Sequence, residues 1–120
     1  MGRWYRVFGS LDTPANIEAS DPLLLECFRA DEEGIRAELN SWAAFLETCD
    51  GPHHVPLMER TIQTRQLFTL QNPSDDSRLD VVCVALCQNL AALTVGFYQI
   101  DGVGFFDAAG TLLVEEQNTF

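Results

Sequence analysis

The chain has 120 residues, 47% of them apolar, and its 18 Asp and Glu against 7 basic residues give a formal charge of −11. That length suits one globular domain over 1–120, with a core that needs no disulfide or metal. The charge argues against nucleic acid and anionic membranes as partners. Because every basic residue is Arg, lysine Schiff-base, lysine general-base and P-loop chemistry are excluded.

Trp4-Tyr5-Arg6-Val7-Phe8 is aromatic and β-branched and runs into Gly9-Ser10, which predicts a strand. Residues 11–22 hold two prolines and several turn formers, so a loop is expected. Leu23 to Phe28 is a second strand candidate. A helix should follow. Asp31 is its expected N-cap, Glu32 and Glu33 face the positive end of the dipole, and Ile35, Leu39, Trp42, Leu46 and Cys49 form one apolar stripe. Asp50-Gly51-Pro52 is the stop signal.

Residues 57–70 read as a third strand, with Met58, Ile62, Phe68 and Leu70 of one parity toward the core. Residues 71–78 are rich in turn formers, and Asp76 or Ser77 can cap what comes next. Val81 to Ile100 carries no formal charge. Gln88 and Asn89 near its middle, the lack of flanking basic clusters and the switch to strand formers after Gly96 argue against a membrane span. A buried helix from about Leu79 to Thr94, packed on a sheet and touching another helix, is expected, then a strand. Asp107-Ala108-Ala109-Gly110 predicts a hairpin between two further strands.

The expected fold is therefore α+β, in the order ββαβαββ. An antiparallel or mixed sheet of about five strands carries two helices on one face, as in a ferredoxin-like variant.

No chemical motif is complete. Cys83 and Cys87 share a helix face, and Cys49, His53 and His54 lie upstream, but the spacing fits no zinc pattern and the setting is apolar. Asp101-Gly102-Val103-Gly104 lacks the ligands of a calcium loop and the last glycine of a dinucleotide fingerprint, so a tight bend is expected. G-x-S-x-G and H-E-x-x-H are absent. No catalytic set, metal or cofactor is assigned. MGRWYRVFGS has no apolar signal region, so a cytoplasmic setting with free thiols is expected.

These readings point to a soluble, non-enzymatic protein-interaction module, like an immunity or inhibitor protein by analogy only. It would bind a basic protein partner or itself, with Asp31, Glu32 and Glu33 as the candidate acidic patch. The alternative is a small-ligand-binding protein or enzyme with a pocket between helices and sheet, lined by His53, Glu59, Tyr98 and Asp101.

Overall fold

β-branched and aromatic side chains dominate β1 (Trp4–Gly9), and their alternation decides which neighbours they meet. In the computed structural model, which describes residues 3–12, 22–74 and 76–116, β1 lies at the centre of one antiparallel sheet. The other elements are β2 (Leu24–Arg29), α1 (Ile35–Glu47), α2 (His54–Ile62), β3 (Gln66–Gln71), α3 (Arg78–Leu93), β4 (Phe97–Ile100), β5 (Gly104–Asp107) and β6 (Leu112–Glu115). The strand order is β2-β3-β1-β4-β5-β6. The α+β class and the antiparallel sheet are as expected, with six strands and three helices in place of about five and two. Most of the expected loop over 11–22 lies outside the described residues.

Register sorts the core onto two faces. Val7 pairs with Phe68 on one side and Tyr98 on the other, while Phe8 pairs with Leu67 and Phe97. Tyr5, Val7, Phe68, Leu70, Tyr98 and Ile100 therefore point one way, and α3 covers them with Cys83, Cys87, Leu90 and Ala91. Phe8, Leu67, Phe97 and Phe105 point the other way, under Ile35, Leu39 and Leu46 of α1 and Leu57 of α2. The expectation of helices on one face, and with it the ferredoxin-like arrangement, is corrected. Both parities of the central strands are apolar, so the sheet needs a helical layer on each side.

The strand expected over 57–70 is likewise corrected. Its first part belongs to α2, where Leu57 and Thr61 are buried four residues apart, at helical spacing. Ile62, expected toward the core, is half exposed, whereas Phe68 and Leu70 are buried on β3. Helix α1 also starts later than expected. Gly34, at φ 85°, precedes it, and no side chain caps it. Asp31 to Glu33 instead form an exposed turn, in which Glu32 accepts the backbone N–H of Arg29.

Helix α3 and the strand after it fall where the sequence places them. The connection between them is close-packed: a Cβ on Gly96 would sit 2.2 Å from the Phe8 carbonyl oxygen. Val95 just before it has φ 52°, a left-handed conformation that strains a β-branched residue. The hairpin between β5 and β6 turns at Gly110, φ 94°, with Asp107 accepting the N–H groups of Ala109 and Thr111.

Candidate functional site

A helix that covers one sheet face buries one side and leaves the other to solvent. On α3 the buried side is Cys83, Cys87, Leu90 and Ala91. Its opposite side consists of Val81, Val82, Ala85, Asn89, Ala92 and Leu93, all exposed. Val81 is 72% exposed and Leu93 59%. Neither α1 nor α2 reaches this side, because both pack on the other face of the sheet. The neighbour helix that the sequence led us to expect is thus absent among the described residues. The result is an uncharged, largely apolar surface about 18 Å long, in a chain of charge −11.

The start of α3 is held firmly. Tyr5 donates its hydroxyl to Asp80 (2.9 Å), and Asn72 donates to the same oxygen (3.3 Å). Burial and the Asp80 carboxylate push the Tyr5 hydroxyl well above its ordinary range. Arg78, itself exposed, bonds the half-exposed Asp76 through its side chain.

Polar groups converge on the other face of the sheet. The Arg6 guanidinium donates to Asp101 (2.6 Å) and to the buried Gln99 (3.0 Å). It also lies over the Trp42 ring at 4.9 Å, with its Nε 3.5 Å from Glu38. Gln99 donates in turn to Asp101 and Glu116. This network ties α1 to β1, β4 and the residue after β6. It contains carboxylates, an amide, a guanidinium and an indole ring, and no thiol, hydroxyl or imidazole.

The four residues expected to line a pocket do not meet. His53 is exposed before α2, and Glu59 is exposed on it. Asp101 joins the Arg6 network. Tyr98 lies on the opposite face, under α3, where it accepts a hydrogen bond from Gln88 and stacks on Phe106. The space between helices and sheet is filled by side chains on both faces. Asp31, Glu32 and Glu33 stay together in the turn before α1, where Asp31 lies 3.6 Å from Arg29.

All four cysteines are free thiols, and Cys83 and Cys87 are fully buried. Burial first, then Asp80, raises the Cys83 thiol to about 11; burial, then Cys83, raises Cys87 to about 12. Burial thus favours the neutral thiol at both positions, and neither is activated as a nucleophile. No group of three or more His, Cys, Asp or Glu among the described residues could hold a metal ion. No helix among them is long and apolar enough to cross a membrane.

Sequence reasoning missed both the outer side of α3 and the Arg6 network. A signal for the first was present in the lack of charge and the predominance of apolar residues from Val81 to Leu93. For the second there was none, because Arg6 and its partners Gln99 and Asp101 are over 90 residues apart. No protein-family model, curated protein or solved structure matches this chain.

Proposed function

We propose that this chain is a non-enzymatic protein-interaction module that docks through the outer side of α3, and that the surface seats a second copy of the chain. The observation that carries the reading is the run of exposed, uncharged side chains from Val81 to Leu93. An apolar face bare of charge loses little by desolvation and gains by burial.

The lack of charge is compatible with a second copy: two chains of −11 repel each other overall, but a contact over Val81 to Ile100, where the sequence carries no charge, adds no close like-charge pair to that repulsion. The face is also self-complementary about a two-fold axis. In an antiparallel pairing centred at residue 87, Val81 of one copy meets Leu93 of the other, Val82 meets Ala92, and Ala85 makes room for Asn89. The two Asn89 amides flank the axis, where each can both donate and accept. A patch of this length is smaller than that of a permanent dimer, so the equilibrium is a weak, concentration-dependent one.

Light scattering on a concentration series tests this. The mass should rise from 13.4 kDa toward twice that value as the concentration approaches ~1 mM. Ala85→Glu, which keeps a good helix former on an exposed site, should stay monomeric with unchanged thermal stability. A native protein that remains monomeric throughout overturns the reading. So does an Ala85→Glu variant that associates as well as the native chain.

A further inference from the structure

Three of the seven arginines, drawn from three elements, line one surface cleft of about 420 Å³. Arg29 ends β2, Arg36 lies in the first turn of α1, and Arg65 immediately precedes β3. Asp12 and Asp31 share the lining. The lining residues sum to 3 − 2 = +1, and Glu32, which accepts the Arg29 backbone N–H at the edge, brings the neighbourhood to zero, where the whole chain is −11. Cationic side chains repel one another, so their convergence in a chain with so few of them asks for an anion.

The two carboxylates do not quench the cleft. Arg65 Nη2 reaches Asp12 at 3.2 Å, and Arg29 Nε is 3.6 Å from Asp31, beyond hydrogen-bond distance. All four side chains are substantially exposed, and such pairs are weak. Arg36 donates to the Ile62 carbonyl (3.0 Å) and faces no carboxylate partner among the described residues. Its remaining N–H groups are free to form the two-pronged contact that a guanidinium makes with a carboxylate or phosphate.

We infer that this cleft binds a small oxyanion, a carboxylate or a phosphate monoester, with Arg36 as the main anchor and Arg65 and Arg29 as flanking donors. The inference is independent of the α3 surface. The ligand competes with Asp12 and Asp31 for the flanking arginines, so binding is salt-sensitive.

The test is titration of the full chain with inorganic phosphate, and separately with citrate, at fixed ionic strength, followed by NMR shifts of backbone amides. Saturable shifts centred on residues 29–36 and 62–65 are expected. The tighter of the two probes assigns the phosphate or the carboxylate class. Arg36→Gln should weaken binding about tenfold or more, and Arg78→Gln, whose partner is Asp76 at the start of α3, should leave it unchanged. Circular dichroism verifies that both variants are folded. Linear, non-saturating shifts with both probes would overturn the inference. So would an Arg36→Gln variant that binds like the native chain, or an equal loss in Arg78→Gln.

Discussion

Arg6 shows how one side chain can set the geometry of a layer. Its side chain is only 18% exposed, and its guanidinium is shared among a carboxylate, a buried amide and an indole ring. Removing it leaves the buried Gln99 Oε1 without its donor and Asp101 and Glu38 without their cation. Arg6→Ala should therefore cost roughly 2–4 kcal/mol in urea unfolding. Arg78→Ala, whose guanidinium is almost wholly exposed, should cost far less. Val95 gives the opposite sign. Its left-handed φ of 52° suits glycine better than a β-branched residue, so Val95→Gly should raise stability by about 1 kcal/mol. The buried thiols predict a pH effect. The folded state holds Cys83 and Cys87 protonated up to about 11 and about 12, against 9.0 in the unfolded chain. Their contribution is whole below pH 9 and is lost as pH rises through the folded values. The melting temperature should fall over that window, and a Cys83→Ala, Cys87→Ala double variant should show a flatter decline.

At the scale of elements, the helices explain both what the sequence made legible and what it did not. β1, β2, α3, β4 and the last hairpin were readable because local signals agreed: β-branched and aromatic runs, a charge-free helix-length run, and turn formers at 107–110. α2 was not. Ile62 and Thr64 have high β-propensity, and Pro56 suggests a loop, yet proline is tolerated in a first helical turn, and tertiary burial of Leu57 and Thr61 decides the outcome. The start of α1 was misplaced for a similar reason. Asp31 is a good cap type, but Glu32 closes a local turn onto Arg29 instead. α3 was located correctly while its surroundings were not, since apolarity all round a helix does not say whether a second helix covers it. The two sides of α3 should differ sharply in energy. Leu90→Ala on the buried side should cost about 2–5 kcal/mol, and Val81→Ala on the outer side less than about 0.5 kcal/mol, both measured by urea unfolding at concentrations that keep the chain monomeric.

At the scale of the whole molecule, charge and apolar surface are segregated. Aromatic and aliphatic side chains fill both faces of the sheet, and acids occupy turns and the solvent side of α1, α2 and β2. The outer side of α3 breaks that pattern. Neither candidate set taken from the sequence captured it, because the pocket residues and the acidic turn were chosen for polarity, and the surface is defined by its absence. The docking account makes a prediction that separates it from recognition by charge. Repulsion between two −11 chains weakens as salt shortens the screening length, and apolar burial is not diminished by moderate salt. Association with a basic partner through the acidic residues has the reverse dependence. Sedimentation equilibrium of the native chain at low and high salt, from about 20 mM to about 500 mM, is the most direct test. The account predicts a dimer whose association constant rises with salt. A monomer at every salt concentration, or an association that weakens as salt is added, would contradict it.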